Sequence, residues 1–299
     1  MYDIIIVGAG PAGLTAAIYA RRADKSVLLI EKETFGGQIT FSPKVENIPG
    51  FTELSGNEFA ERLVDQALYQ GAEFESCEVT EIINGKTKTV VTDSGSFEAK
   101  AVIIATGAKH RMLGVPGEER FIGEGISFCA VCDGAFYRDR TVAVIGGGNS
   151  ALQEALLLSE LAEKVYVVQN LDFLTGEPKL ISSLEAKENV EIILGTVVDS
   201  FEGEGELEAI RIKRIADETV SELKLDGVFV AIGLVPQNDA FANVIPLDER
   251  GYADIGEECE AGNGIFVCGD CRKKKIRQVA TAASDGAVAA LAACEYTDN

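Results

Sequence analysis

The chain has 299 residues, 46% of them hydrophobic and 25% charged, which is typical of a soluble globular protein with room for two domains. Its formal net charge of −21 excludes nucleic acids and anionic membrane surfaces as general partners, since both are themselves negative. No apolar run approaches the length of a membrane span and the N-terminus lacks a signal-peptide pattern, so we expect a cytoplasmic protein with no membrane partner.

The N-terminal segment predicts a strand, a glycine-rich turn and a helix. Residues 2–7 are apolar, residues 8–13 read GAGPAG, and an alanine-rich helical stretch follows. Glycines at these spacings let the backbone approach a pyrophosphate at the helix N-terminus, where N–H groups favour anions. The next strand, 26–30, is followed by Glu31, an acid at the distance expected for a ribose hydroxyl. The pattern predicts a dinucleotide-binding fold, with a chance glycine-rich turn as the alternative.

Two loops and a further turn carry residues suited to a flat ligand. The segments 35–38 and 45–50 are marked by glycine and proline and contain amide side chains. Such loops allow a close backbone approach to a flat ring, although alone they would only be turns. An amphipathic helix is expected at 57–71. The apolar run at 101–105 ends in a turn at 106–108, which we expect to meet the other side of a bound cofactor.

A pair of cysteines lies near the middle of the chain, in the stretch ISFCAVCDGAFYR. Cys129 and Cys132 are three positions apart, and Asp133 follows directly. Such a pair can close and reopen a disulfide, because one thiolate attacks, its neighbour resolves the mixed disulfide, and an adjacent acid manages a proton. Zinc is the alternative, but a second ligand pair at normal spacing is missing and His110 is the one histidine. We therefore predict a redox dithiol and no metal site.

A second strand, glycine turn and helix are predicted at 141–145, 146–151 and 152–161. This duplication predicts an α/β fold with two doubly wound, Rossmann-like domains. The first domain comprises 1–111 and 237–299, and the second, 112–236, is inserted into it after a linker at 112–116. The second strand of the inserted domain ends at Gln169, with neither an acid for a ribose nor an arginine for a 2′-phosphate.

The C-terminal region contains a strand at 264–267, the turn CGDC and a basic run before a final helix. The turn holds a second C-x-x-C pair, Cys268 and Cys271, which we interpret as part of a strand end, with redox chemistry as the alternative. The acid between them, Asp270, could bond a ribityl or ribose hydroxyl. The run at 272–277 places five cationic side chains in six positions.

Eight motifs occur in one order along the chain: GAGPAG, GGQ, ENIPG, ATGA, CAVCDG, GGGNSA, AIG-x-x-P and GD-x-R…RQ. In these motifs the chain resembles the low-molecular-weight thioredoxin reductases over essentially its whole length. The resemblance implies FAD in the outer domain, a dithiol and a pyridine nucleotide site in the inner domain, thioredoxin as the reduced partner, and a homodimer. It also implies that Cys132 faces the flavin, that Cys129 attacks thioredoxin, and that Asp133 handles the proton.

The same resemblance implies a set of FAD contacts in the glycine turns, the loops and the C-terminal turn. They are Gly8, Gly10, Gly13, Glu31, Gly37, Gln38, Asn47, Thr106, Gly107, Asp270, Arg277 and Gln278. Residues Phe136, Tyr137 and Arg138 resemble the segment with which the family docks thioredoxin, although Ala135 replaces an aromatic residue there.

The chain departs from this family at the electron donor. The family grips the 2′-phosphate of NADPH with His-Arg-Arg and a third basic residue, and this chain has Gln169, Asn170, Leu171 and Thr175 instead. Each charge-assisted bond to a phosphate contributes roughly 1.5–3 kcal/mol, so their loss should weaken binding by several orders of magnitude. Residues 112–236 hold ten basic and 22 acidic side chains, a net of −12, so no diffuse positive field replaces them. NADPH is therefore not the expected donor.

Other donors and another class of function stay open. The chain resembles the ferredoxin-dependent flavin thioredoxin reductases, in which the nucleotide motifs have decayed, and we favour reduced ferredoxin as the donor. NADH at the GGGNSA turn is the alternative, although a strand-end acid is missing. The basic run at 272–277 is either a docking patch for an acidic ferredoxin or a segment that serves FAD. A flavin-bound redox sensor without steady turnover is the alternative from another class.

Overall fold

The structure is a computed structural model that describes residues 1–42 and 44–299. Backbone contacts divide the chain into two compact units. The split unit comprises Met1–Lys109 and Val235–Asn299, and the inserted unit comprises His110–Leu234. The assignment of a function to each unit remains a prediction from the sequence.

The strands are given in chain order. They are β1 Tyr2–Val7, β2 Val27–Glu31, β3 Glu73–Ser76, β4 Val79–Ile83, β5 Lys88–Thr92, β6 Gly95–Ile104, β7 Ala108–His110, β8 Ile126–Ser127, β9 Thr141–Ile145, β10 Lys164–Val168, β11 Val190–Ile193, β12 Thr196–Glu202, β13 Ala209–Arg214, β14 Val220–Lys224, β15 Gly227–Val230, β16 Leu234–Pro236, β17 Glu260–Gly262 and β18 Ile265–Val267.

The helices lie between these strands. They are α1 Pro11–Arg22, α2 Gly56–Tyr69, α3 Glu118–Phe121, α4 Ala130–Asp133, α5 Asn149–Ser159, α6 Pro178–Glu185 and α7 Val279–Asp298. Short 3₁₀ helices occur at Gly37–Phe41, Gly134–Tyr137, Asp239–Phe241 and Gly269–Cys271. None of the helices in the described part of the chain combines the length and apolar character needed to cross a bilayer.

The split unit is built on an eight-stranded sheet with the order β17-β18-β6-β1-β2-β3, and β5 connects β6 to β4. β1 pairs in parallel with β2 and β6, so that Ile4 lies opposite Val27 and Ala101. Ile4 and Ile6 belong to the core on one face and Ile5 to the core on the other, and all three are fully buried. Because both faces are covered, the strand reads as a continuous apolar run rather than an alternating one.

Helices α1 and α7 pack closely against each other beside this sheet. Small residues make the approach possible, since a Cβ atom at Gly286 would lie only 2.1 Å from the carbonyl oxygen of Ala12. Ala16 and Ala289 are fully buried in the same core. The contact holds the N-terminal end of α1, which follows the first glycine turn.

The inserted unit is built on a five-stranded parallel sheet with the order β11-β10-β9-β15-β8, and it has a separate antiparallel sheet of β12, β13 and β14. Its two cores lie on opposite faces of β15, one around Val228 and the other around Phe229. Parallel sheets flanked by helices therefore occur in both units. The predicted α/β class with two doubly wound, Rossmann-like domains is confirmed.

The chain crosses between the units at β7 and β16, and these two short strands pair with each other. The segment after β7, predicted to be a linker, is anchored rather than loose. The carboxylate of Glu118, which is buried, accepts the N–H groups of Leu113 at 2.8 Å and Gly114 at 2.7 Å. Leu113 and Val115 also pack against the core of the inserted unit. A buried carboxylate with two backbone donors therefore fixes the segment 112–116, which follows directly on the crossing between the units.

Candidate redox and cofactor sites

The two central cysteines form a disulfide at the start of α4. Cys129 has an extended backbone and caps the helix, and one helical turn brings Cys132 beside it. The N–H of Cys132 lies 3.2 Å from Cys129 Sγ and donates to it. Both cysteines are half-buried. Because a hydrogen-bond donor next to sulfur favours the thiolate, this geometry stabilises negative charge on Cys129 once the disulfide is opened.

Asp133 lies in a partly closed polar site beside the disulfide. The Ser127 hydroxyl donates to Asp133 Oδ2 at 2.6 Å, and its oxygen accepts the N–H of Cys129 at 3.1 Å. The other carboxylate oxygen, Oδ1, is buried and has no hydrogen-bond partner among the described residues. Burial raises the pKa of Asp133, and the bond from Ser127 partly offsets that rise. The carboxyl is thus prepared to hold a proton near the cysteines.

The segment predicted to dock thioredoxin is only partly exposed. Tyr137 points into the inserted unit and meets Phe229 edge-on, with ring centroids 5.2 Å apart. Burial raises the pKa of Tyr137 to about 12. A Cβ atom at Gly227 would lie 2.1 Å from this ring, so the tyrosine fills a fitted core position. Arg138 is exposed, and so is Val131 between the two cysteines, at 68%. Tyr137 is therefore partly buried against the core of the inserted unit, and the role of this segment in docking stays a prediction.

The glycines of the first turn are of two kinds: two lie in tight contact with the surrounding protein, and one faces open space. Gly8 has a φ of 105°, and a Cβ atom there would lie 2.4 Å from the carbonyl oxygen of Ala105. At Gly13 a Cβ atom would lie 1.9 Å from the Gly8 carbonyl oxygen. The nearest atom to such a Cβ at Gly10 is the Gly36 carbonyl oxygen, 4.0 Å away. Protein packing thus explains Gly8 and Gly13, whereas Gly10 leaves open space before the first turn of α1.

The other predicted cofactor residues of the split unit converge on this turn. A Cβ atom at Gly37 would lie 3.1 Å from Gly10 Cα, which places the GGQ loop, with Gln38 next in sequence, against the turn. Glu31 Oε2 accepts the N–H of Ala9 at 2.8 Å, so the strand-end acid holds the turn. The segments 31, 36–38 and 8–13 are therefore neighbours in space.

Two polar pairs link predicted cofactor residues to more distant parts of the split unit. The Asn47 amide donates to Gln278 Oε1 at 3.2 Å, and Gln278 also forms a capping box at the start of α7. Thr106 Oγ1 donates to Asn238 at 3.2 Å, and Asn238 is fully buried. The Asn238 amide in turn bonds the carbonyl oxygens of Gly251 and Cys271, both at 2.9 Å. Asn238 is not predictable as a site residue from the sequence, because its partners are far away in the chain.

The C-terminal turn reaches the same region from the other side. A Cβ atom at Gly269 would lie 2.8 Å from Ala12 Cβ, so the turn touches the first turn of α1. Asp270 Oδ1 is buried and has no hydrogen-bond partner among the described residues. Burial raises the pKa of Asp270, while Lys274 and Arg277 oppose the rise. The Arg277 guanidinium also lies 3.4 Å from the Asp270 carbonyl oxygen.

Cys268 and Cys271 beside this turn are fully buried free thiols. Burial raises the pKa of both, which disfavours the reactive thiolate. The geometry supports the interpretation of this pair as part of a strand end. Among the described residues, no group of three or more His, Cys, Asp or Glu side chains is arranged to hold a metal ion.

The basic run at 272–277 is largely neutralised by acids of the same unit. Arg272 and Lys274 both bond the Asp285 carboxylate, at 3.0 Å each, and their side chains are almost completely buried. Lys273 pairs with Asp254 at 2.9 Å. The run therefore does not present five free positive charges. This finding favours a structural and cofactor-serving segment over a docking patch for an acidic ferredoxin.

The second glycine turn, in the inserted unit, is filled by the chain itself. The buried Gln169 lies over Gly147, where a Cβ atom would be 2.6 Å from its amide. The Gly147 carbonyl oxygen accepts the N–H groups of Thr175 at 2.8 Å and Gly176 at 3.0 Å. The amide of Asn149, the first residue of α5, donates to Glu177 at 3.0 Å. The segment 169–177, which packs over this turn, therefore places the acid Glu177 beside it and contains no cation.

Comparison with known proteins decides the family. Residues 2–286 match the pyridine nucleotide-disulphide oxidoreductases. The chain belongs to this family. It is 41% identical to the thioredoxin reductase of Listeria innocua, over 100% of this chain and 94% of the relative, and 40% identical to that of Bacillus subtilis, over 100% and 95%. The crystal structure of thioredoxin reductase from Streptococcus pyogenes matches with a TM-score of 0.95 at 39% identity, covering 100% of this chain and 98% of that one.

Membership among the pyridine nucleotide-disulphide oxidoreductases implies FAD, and the residues of the split unit fit it. The open space at Gly10 suits a pyrophosphate before the first turn of α1. The buried, unbonded Oδ1 of Asp270 suits a hydroxyl donor. A ligand at this place would thus give a hydrogen bond to a buried oxygen that has none within the described residues, although Lys274 lies 4.0 Å from it.

Proposed function

We propose that this pyridine nucleotide-disulphide oxidoreductase uses FAD and the Cys129–Cys132 pair to reduce thioredoxin. The observation that carries the proposal is the disulfide at the start of α4, with a buried carboxyl, Asp133, directly beside it. The full-length similarity to thioredoxin reductases supports thioredoxin as the partner.

The proposed reaction moves two electrons and two protons. Bound FAD, once reduced by the electron donor, would supply the electron pair, and with two protons the sulfur–sulfur bond of Cys129 and Cys132 would open to two thiols. The Cys129 thiolate then attacks the thioredoxin disulfide, and Cys132 displaces thioredoxin as a dithiol while the protein disulfide reforms. In each of the two exchanges Asp133 would hold the proton that leaves the attacking thiol, first that of Cys129 and then that of Cys132, and would return it to the departing thioredoxin sulfur. The N–H of Cys132 would stabilise the thiolate of Cys129 before its attack on thioredoxin.

The proposed FAD site follows the residues implied by the sequence. Gly8, Gly10 and Gly13 would hold the pyrophosphate at the start of α1, and Glu31 would meet a ribose hydroxyl. Asp270 would accept a hydroxyl of the ribityl chain. The remaining proposed contacts are Gly37, Gln38, Asn47, Thr106, Gly107, Arg277 and Gln278.

For the electron donor we propose reduced ferredoxin. The residues around the second glycine turn argue against NADPH as the donor. The segment 169–177 contains no cation that could bind a 2′-phosphate, and Gln169 and Glu177 lie next to the turn. The acidic inserted unit also disfavours a phosphorylated nucleotide. An NADH- or NADPH-dependent reductase is the alternative, because the turn itself is retained.

A homodimer is also proposed, through the split unit. Large apolar side chains are exposed on three helices that pack side by side, namely Tyr19 of α1, Tyr69 of α2 and Leu291 of α7. Tyr69 is 88% exposed and Leu291 is 56% exposed. Aromatic side chains are enriched in protein interfaces relative to the rest of a protein surface, which supports this proposal for Tyr19 and Tyr69.

The test of the reductase separates it from a flavin-bound redox sensor. The anaerobic protein is reduced with one equivalent of dithionite and mixed with excess oxidised thioredoxin, and thioredoxin thiols are counted by mass spectrometry after alkylation. A reductase is expected to transfer the pair stoichiometrically and to turn over when dithionite is renewed. A sensor would keep its electrons, and thioredoxin would stay oxidised.

Restoring phosphate-binding cations is expected to create NADPH affinity. In a variant that combines Asn170→Arg, Leu171→Arg and Thr175→Arg, all at exposed positions, NADPH should bind about tenfold tighter or more. The affinity for NADH, which lacks the 2′-phosphate, should change little. The matched control replaces the same three residues with glutamine. Calorimetric titration with both nucleotides measures the effect, and micromolar NADPH binding by the unmodified protein would contradict our interpretation of this site.

A further inference from the structure

The hydroxyl of Ser127 connects the two ends of the redox turn. It donates to Asp133 Oδ2 at 2.6 Å, and its oxygen accepts the N–H of Cys129 at 3.1 Å. Cys129 caps α4 and Asp133 is the last residue of α4, so the two hydrogen bonds span the whole turn. We call this pair of hydrogen bonds the Ser127 bridge. Ser127 itself is almost fully buried, at 6% exposure.

Ser127 is held in place by the parallel sheet of the inserted unit. It is the last residue of β8, and it lies opposite the fully buried Phe229 of β15. The next residue, Phe128, stacks on the ring of His110, with ring centroids 4.5 Å apart. The backbone is therefore fixed on both sides of the Ser127 hydroxyl, and the Ser127 bridge ties the redox turn to the sheet.

The other hydrogen bonds of the turn are local to α4. The N–H groups of Cys132 and Asp133 donate to the Cys129 carbonyl oxygen at 3.1 Å and 3.0 Å. A helix of one turn is not stable by itself, because its few hydrogen bonds do not offset the cost of ordering it. The closed disulfide adds a covalent constraint. Once the disulfide opens, that constraint is lost and the Ser127 bridge remains.

We propose that Ser127 is a positioning residue for the redox pair, because the Ser127 bridge keeps the turn ordered while both cysteines are thiols and thereby favours closure of the disulfide. This inference rests on the proposed function, in which the Cys129–Cys132 disulfide opens and reforms in each cycle. Closure joins the two sulfurs and releases two electrons and two protons, which the thioredoxin disulfide accepts as it becomes a dithiol. Two thiols that are already held together lose less conformational entropy on closure.

The variant Ser127→Ala removes both bonds of the Ser127 bridge and leaves both cysteines in place. The full-length protein with bound FAD is equilibrated anaerobically with reduced and oxidised dithiothreitol at a series of ratios. After an acid quench and alkylation in denaturant, mass spectrometry reads the fraction of chains with thiols at Cys129 and Cys132. The equilibrium constant for closure, with oxidised dithiothreitol as the two-electron acceptor, should fall roughly threefold to tenfold, the effect of losing one or two hydrogen bonds.

Two further variants separate the Ser127 bridge from a general effect of losing a hydroxyl. Ser127→Thr keeps the hydroxyl and should give the native equilibrium constant. Ser159→Ala is the matched control, since Ser159 is a buried serine of the same unit whose hydroxyl donates to the Leu156 carbonyl oxygen at 2.7 Å, within α5. This variant should also leave the equilibrium constant unchanged.

The Ser127 bridge can also be broken from its other end, which keeps the test decisive if Ser127→Ala does not fold. Asp133→Ala removes the acceptor of the Ser127 hydroxyl. Asp133→Asn removes the negative charge but keeps an oxygen that can accept this hydroxyl. Asp133→Ala should therefore lower the equilibrium constant as Ser127→Ala does, and Asp133→Asn should leave it close to the native value.

Two results would overturn the inference. One is an equilibrium constant in Ser127→Ala that equals or exceeds the native value. The other is an equal shift in Asp133→Ala and Asp133→Asn, which would assign the effect to the charge of Asp133 rather than to the Ser127 bridge. Absence of thioredoxin reduction by the native protein would instead overturn the proposed function, since equilibration with dithiothreitol does not require thioredoxin.

Discussion

Replacing Cys132 with serine is expected to abolish thioredoxin reduction while FAD remains bound. The disulfide can then no longer form, so an electron pair on the flavin has no acceptor in the protein. Cys129→Ser should have the same effect on turnover, because it removes the proposed attacking thiol. Loss of one partner in a group that acts as a unit lowers turnover by roughly 10³-fold or more. Donor-independent turnover with renewed dithionite measures the loss, and the flavin absorbance measures the FAD content.

The control for this prediction is the second cysteine pair. Cys268→Ala and Cys271→Ala change fully buried free thiols beside the proposed FAD site, and each is expected to keep substantial turnover. Activity of either Cys129→Ser or Cys132→Ser equal to that of the native protein would refute the assignment of the redox pair. Loss of turnover in Cys271→Ala with normal FAD content would point to the second pair instead.

Replacing Asp285 with alanine is expected to cause the largest loss of stability. Asp285 is almost fully buried, bonds both Arg272 and Lys274, and accepts the N–H of Gly269 at 3.1 Å. Its removal would leave the buried Arg272 without a carboxylate partner and Lys274 with only Asp270, 4.0 Å away, and breaking such a buried pair costs about 3–5 kcal/mol. Because Gly269 precedes Asp270, weaker FAD retention should accompany the loss. Urea unfolding followed by circular dichroism measures the free energy of unfolding. Gel filtration of the folded variant and of the unmodified protein, without denaturant, measures the FAD that each retains.

The matched control for the buried cluster is Asp254→Ala. Asp254 pairs with Lys273 at 2.9 Å, but both side chains are more than half exposed. Such a surface pair contributes about 0–1 kcal/mol, so the variant should unfold close to the native midpoint. Similar losses in the two variants would show that burial of the Asp285 cluster is not what stabilises this region.

Much of the fold could be predicted because its signals are local. The apolar run at 2–7, the glycine turn after it and the strand-end acid Glu31 all belong to one strand–turn–helix–strand unit, and each has a direct physical meaning. The same holds for the second strand and glycine turn. The start of α5 differs, at Asn149 rather than residue 152, because Gly148 is extended and already caps the helix.

The supporting residues of the sites could not be predicted, because their roles depend on distant contacts. Asp285 forms an ion pair with Arg272, which is 13 positions away in the sequence. Because of this contact, part of the run that looked like a basic surface is a buried cluster. Asn238 meets Thr106 across 132 positions. No pattern of spacing marks such pairs, since the fold alone brings them together.

We propose that electrons reach the Cys129–Cys132 disulfide from ferredoxin through FAD. The most direct test of this proposal is anaerobic reduction of the purified yellow protein with NADPH, NADH and reduced ferredoxin in parallel, with flavin absorbance and protein thiols recorded for each. We predict that ferredoxin bleaches the flavin and releases two thiols, at Cys129 and Cys132, whereas equimolar NADPH and NADH leave both signals almost unchanged. Rapid bleaching by either nucleotide with no reduction by ferredoxin would contradict the account.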